Sequence, residues 1–124
     1  MFLRGIRGAT VIQKNSKEEI LKETTLLLET LIKKNDIVVD DIASIIFSVT
    51  QDINAVFPAE AARNMGLNDT ALLCFNEIPV VGSIEKCIRI LIHANTNKKQ
   101  NELKHIYLKE AARLRPDLAK QPEN

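Results

Sequence analysis

A chain of 124 residues has room for one domain and no more. With 45% hydrophobic residues it can bury a core, so global disorder is not expected. Seventeen basic against sixteen acidic residues give a formal net charge of +1. That is neither the basic footprint of a nucleic-acid binder nor an acidic solvating tail.

Arg4 and Arg7 interrupt the opening Met1 to Gly8, which argues against a secretory signal, and no later run is long enough for a membrane span. A cytoplasmic protein with no membrane partner is the expectation. Phe2 to Ile12 reads as a strand. Leu3, Gly5, Arg7, Ala9 and Val11 share one face, and Phe2, Arg4, Ile6, Gly8, Thr10 and Ile12 share the other. Arg7 sits between two small side chains, Gly5 and Ala9, so this strand is expected to leave a hole beside the arginine.

Ser16 with Glu19 has capping-box spacing, and Ile20, Leu21, Thr24, Leu27, Leu28, Leu31 and Ile32 recur at helical intervals. The helix is expected to close near Asn35 and to cover a sheet. Ile42 to Thr50 is rich in β-branched residues and nearly continuously apolar, which predicts a strand buried on both faces. Pro58 opens a short helix that ends at Gly66. Ala71 to Phe75 is a short strand, and a longer one runs from Cys87 through His93 after the turn glycine Gly82. The stretch beyond Lys98 is too mixed to assign. These elements predict an α+β (α/β) domain over residues 1–118, with about five strands in a mixed sheet, helices on one side, and a flexible tail at 119–124. The cysteines, Cys74 and Cys87, lie in apolar segments without metal-type spacing and read as reduced thiols.

The lysines fall on polar loops and helix surfaces, whereas Arg7, Arg89 and Arg115 have apolar neighbours. A desolvated arginine requires partners, and its rigid fork of donors matches carboxylates. Arg89 shares a strand face with Cys87, Leu91 and His93, opposite a wholly aliphatic face. An internal pair with Glu77 would explain one such arginine. For three, only Asp52, Glu77 and Asp117 are plausible internal acids, and an anionic small molecule with more than one carboxylate completes the balance. No phosphate-binding glycine loop, nucleophile elbow or histidine pair at metal spacing is present, and His93 and His105 stand alone. The expected chemistry uses no metal, cofactor or nucleophile. Conformational restraint plus electrostatic stabilisation suffices for a reaction that runs unaided, such as a pericyclic rearrangement.

Arg4-Gly5-Ile6-Arg7-Gly8-Ala9-Thr10, Ala55-Val56-Phe57-Pro58-Ala59, Lys86-Cys87-Ile88-Arg89, Ile106-Tyr107-Leu108 and Leu114-Arg115-Pro116-Asp117-Leu118 together resemble the trimeric α/β chorismate mutases, in register from Phe2 to about Leu118. The resemblance implies a homotrimer with a barrel-like core and active sites between subunits. It implies the Claisen rearrangement of chorismate to prephenate, a step of phenylalanine and tyrosine biosynthesis. It places Arg7, Arg89, Glu77, Cys74 and Tyr107 in one subunit's part of the site. Phe57, Ala59 and Arg63 come from the neighbour, and Leu73 lies next to the Cys74 contact. Arg89 matches the donor to the ether oxygen, Glu77 the acceptor of the ring hydroxyl, and Cys74 a nearby contact. Arg7, Tyr107 and Arg63 match positions that orient carboxylates, and Leu114 and Arg115 a closing C-terminal segment. Glu60 departs from the lysine common in relatives. Two other readings stay open at this point: an imine deaminase-like trimer, and a non-catalytic dicarboxylate-binding module.

Overall fold

In the computed structural model, which describes residues 1–119, the order of elements along the chain is β1 (Phe2–Val11), α1 (Lys17–Lys34), β2 (Ile42–Val49), α2 (Ala59–Asn64), β3 (Ala71–Asn76), β4 (Cys87–Thr96), β5 (Ile106–Tyr107) and α3 (Pro116–Ala119). The strands form one sheet in the order β3-β2-β4-β1-β5. β4 lies at its centre, antiparallel to both β1 and β2, while β3 runs parallel to β2 and β5 parallel to β1. The expected five-stranded mixed sheet is therefore present, with α1 and α2 packed on it. Of the segment expected to be a tail, residues 120–124 lie outside the described residues.

α1 starts where its sequence says it does. Ser16 Oγ accepts the Glu19 N–H at 3.2 Å, acidic Glu18 and Glu19 occupy the first turn, and Lys33 and Lys34 the last. Glu19 does not return to the cap residue as a capping box would. Its carboxylate reaches past it to accept the N–H groups of Gln13 and Lys14, at 2.5 and 3.2 Å, and fixes the turn that leaves β1. The stripe of Ile20, Leu27, Leu28 and Leu31 is fully buried. Each such side chain is worth about 1.5–3 kcal/mol of transfer free energy. Among the described residues no helix is long and apolar enough to cross a membrane.

Two strand readings need correction. β2 is buried on one face only: Ile42, Ile45, Phe47 and Val49 are buried, while Ser44, Ile46 and Ser48 are partly exposed. Helices cover one side of the sheet, and within one chain the other side is left open. Leu3, Leu73 and Phe75 on that open side are 58%, 56% and 50% exposed. On β1, the hole does not extend to Ala9, which is fully buried and packed with Val11, Cys87 and Ala111. The residues after β5 fold back and fill that space with a 3₁₀ turn, Lys109–Arg113. The glycine the fold demands is Gly8, on the helix-facing side. A Cβ there would lie 2.8 Å from Leu31 Cδ1 and 3.0 Å from the Ile106 carbonyl oxygen.

Candidate active site

The open face of the sheet assembles a row of side chains across four strands. Ser48 on β2 is paired with Arg89 on β4, Arg89 with Ala9 on β1, and Ala9 with Tyr107 on β5. The small Ala9 separates guanidinium and phenol and is covered by Ala111. Arg7, two residues before Ala9, points to the same side. Glu77 joins from the end of β3, where its N–H continues the ladder by donating to the Val49 carbonyl at 2.8 Å. Arg7, Ser48, Glu77, Arg89 and Tyr107 thus line one recess of about 400 Å³.

Within it the Arg89 Nε lies 3.4 Å from Glu77 Oε2, and the Ser48 hydroxyl makes a short hydrogen bond to that same oxygen. The internal pair considered for Arg89 therefore exists, but it does not satisfy the arginine. Its buried Nε makes no hydrogen bond among the described residues. A buried donor without a hydrogen-bond acceptor costs about 1–3 kcal/mol, and the 3.4 Å contact with Glu77 offsets only part of that. Beneath it lies buried Cys87, whose thiol is pushed up to about 11, chiefly by burial, with Arg89 lowering and Glu77 raising it. At neutral pH it is an uncharged neighbour of the ion pair.

Arg7 is fixed through its backbone. Its N–H donates to His105 Nδ1 at 3.0 Å, while its guanidinium has no ion-pair partner among the described residues. Arg115 differs from the expectation of an apolar setting. It is half exposed and forks onto Asp117 two residues on, with Nε to Oδ1 at 3.1 Å and Nη2 to Oδ2 at 2.9 Å. That local pair, with the nearby Tyr107 phenol, raises its pKa further, and neutralisation needs no ligand. Leu114 packs beside Tyr107 on the Ala9–Cys87 cluster.

Cys74 falls in a different place from Arg89. Strand alternation turns it to the helix-covered side, where it packs on the main core. There it shares a second recess of about 470 Å³ with Phe57, at the start of α2. Burial raises the Cys74 thiol, and the Ala59 N–H and the Arg63 charge work against that rise. Phe57, Ala59, Arg63 and Cys74 therefore form one group, and Arg7, Glu77, Arg89 and Tyr107 another. Cys74 was expected with the second. Leu73, its neighbour, is on the open face instead. Glu60 is held by Lys17 at 3.7 Å, which partly cancels the acid at that end of α2.

Ser48, Cys87 and His105 were not among the site residues expected from the sequence, which reads Cys87 as a reduced thiol and His105 as a histidine standing alone. For Ser48 a signal was present: two serines at i and i+4, Ser44 and Ser48, mark one face of an otherwise apolar strand as not fully buried.

Residues 3–118 match the family model described as Chorismate mutase type I. The chain belongs to that family. It is 40% identical over 120 residues to the chorismate mutase AroH of Bacillus subtilis (strain 168), covering 96% of this chain and 94% of the relative. To chorismate mutase AroH of Thermus thermophilus it is 44% identical over 118 residues, 94% of this chain and 97% of the relative. The solved structure of a chorismate mutase from Clostridium thermocellum superposes with a TM-score of 0.86 at 54% identity, covering 87% of this chain and 96% of that one. Both groups of site residues lie within the stretch matched to the chorismate mutase family, as do Leu114 and Arg115. Membership decides against the imine deaminase and the non-catalytic binding module.

Proposed function

We propose that this chorismate mutase works as a homotrimer. In it the recess of Arg7, Glu77, Arg89 and Tyr107 from one subunit faces the group of Phe57, Ala59, Arg63 and Cys74 from its neighbour. The observation that carries the reading is that Arg89, Arg7 and Tyr107 line one recess beside a carboxylate already held by Ser48. The open sheet face supports assembly, because Leu3, Leu73 and Phe75 stand in water on a lone chain. The 70% exposure of Phe57 does the same for the second group.

Chorismate rearranges when its enolpyruvyl side chain folds over the ring. A carbon–carbon bond then forms as the ether carbon–oxygen bond breaks, with no proton transferred. Arg7, Tyr107 and the neighbour's Arg63 hold the carboxylates in that folded conformer, which removes part of the entropic barrier. Arg115 and Leu114 close over it from the C-terminal segment. Negative charge collects on the ether oxygen in the transition state, where Arg89 donates to it more strongly than in the ground state. Glu77 accepts the ring hydroxyl, and Ser48 keeps the carboxylate from swinging fully onto Arg89. We place the enzyme in the cytoplasm, in the supply of phenylalanine and tyrosine.

Mixing subunits tests both halves of this reading. Arg89→Ala and Arg63→Ala proteins, each impaired alone, are unfolded together and refolded. If every site takes its halves from two adjacent subunits, random mixed trimers regain about a quarter of the wild-type sites. No recovery from well-folded mixed trimers contradicts a shared site, and a monomer in solution contradicts the assembly.

A further inference from the structure

The pairing of β1 with β5 is only two residues long, Gly8 with Ile106 and Ala9 with Tyr107, so Arg7 lies just beyond it. There the imidazole of His105 takes the place of a strand carbonyl, its Nδ1 accepting the Arg7 N–H at 3.0 Å. His105 is itself anchored, because the preceding Lys104 is held through both its backbone groups by the buried side chain of Asn35. A four-residue stretch therefore sets two groups of the recess, Tyr107 directly and Arg7 through His105.

We propose that His105 is a positioning residue for Arg7, its neutral imidazole holding this part of β1 so that the guanidinium enters the recess at the angle the substrate carboxylate needs. The inference rests on the reading of Arg7 as a carboxylate-binding group. An acceptor at Nδ1 places the imidazole proton on Nε2. The surroundings favour that neutral form: burial first, then the positive charges of Arg7 on β1 and Arg115 ahead of α3, lower the pKa from its ordinary 6.5. α1, packed on the other side of β5, brings Leu27 and Leu31 to Ile106 and Gly8, and its Glu23 is engaged by Lys109 at 3.0 Å. Protonation of His105 removes the acceptor, sets N–H against N–H, and adds a third cation between two arginines. β1 then shifts at Arg7, and substrate affinity is lost before the chemical step is affected.

Kinetics of the full-length enzyme test this, with kcat and KM measured from about pH 5 to about pH 8, together with nitrogen-15 spectra of its imidazoles. The expected wild-type result is an acid limb in kcat/KM carried by KM, with Nδ1 unprotonated at neutral pH. His105→Ala raises KM about 10-fold, in keeping with the sensitivity of oriented substrates to small displacements. His105→Asn, whose side-chain oxygen can accept in the same place without titrating, restores most of the affinity and abolishes the limb. Persistence of the limb in His105→Asn, or an Nδ1-protonated imidazole in the neutral wild type, overturns the proposal even if the alanine variant does not fold. Arg7→Ala separates the two levels. If it leaves both kcat and KM unchanged, the reading of Arg7 fails. If it raises KM while both His105 variants behave as wild type, only the positioning role fails.

Discussion

Asn35 and Lys104, 69 positions apart, hold each other by two hydrogen bonds, the Asn35 Nδ2 donating to the Lys104 carbonyl at 2.9 Å and its Oδ1 accepting the Lys104 N–H at 2.7 Å. The asparagine is 1% exposed and also donates to the Leu31 carbonyl at 2.9 Å. One side chain thus closes α1 and fixes the start of the segment that delivers β5 to the sheet edge. Asn35→Ala deprives the part-buried N–H and carbonyl of Lys104 of their partner, and a loss of about 2 kcal/mol in urea unfolding is expected. A change below about 1 kcal/mol would show that water replaces the amide without cost.

Arg89→Ala is expected to lower kcat about 1,000-fold with unfolding unchanged, and Arg89→Lys to be poor as well, since a lysine lacks the rigid fork of donors. Ser48→Ala releases the Glu77 oxygen to pair more closely with Arg89, and a smaller fall in kcat, about 10-fold, is expected. Ultraviolet assay of chorismate loss reads both. Wild-type turnover in Arg89→Ala would remove it from the chemical step.

Gly8→Ala tests the close approach of α1 to β1. The added carbon meets Leu31 Cδ1 at 2.8 Å and Leu27 Cδ1 at 3.1 Å, which can yield, but also the Ile106 carbonyl oxygen at 3.0 Å, which is backbone. Overpacking of this kind costs about 1–3 kcal/mol. Calorimetry should show a lower Tm, with β5 loosened from the sheet edge. An unchanged Tm would mean that β5 moves freely enough to accommodate the methyl group.

Stability should fall on the acid side through His105. Its pKa is lowered in the folded chain from the ordinary 6.5, so at a given acid pH the unfolded chain binds more protons there. The contribution is complete above 6.5 and is lost as the pH falls from there through the folded value. His105→Asn should flatten this part of the stability curve, measured by denaturant titration at a series of pH values. An identical slope in the variant would assign the loss to the carboxylates alone.

Much of the fold was legible because local rules and the global arrangement agree. The α1 stripe, its serine cap, the glycine after α2 and the aliphatic face of β4 each reflect a side-chain period or a backbone preference, which a linear sequence displays directly. The arginines at 7 and 89 were legible for a related reason: a charge among apolar neighbours requires a partner wherever the chain goes.

Where those charges meet was decided only in three dimensions. Strand register set Arg89 between Ser48 and Ala9, and alternation along β3 sent Cys74 away from Arg89 and toward Phe57. A shift of one residue would have reversed that side, and no local property of Cys74 distinguishes the two outcomes. The His105–Arg7 bond spans 98 positions and depends on a two-residue strand too short to leave a periodic signal. The sequence by itself determined which side chains must be buried, capped or neutralised, since those are properties of each residue and its near neighbours. The tertiary structure alone decided which of them share a site, because that follows from register, edge order and packing between segments far apart in the chain.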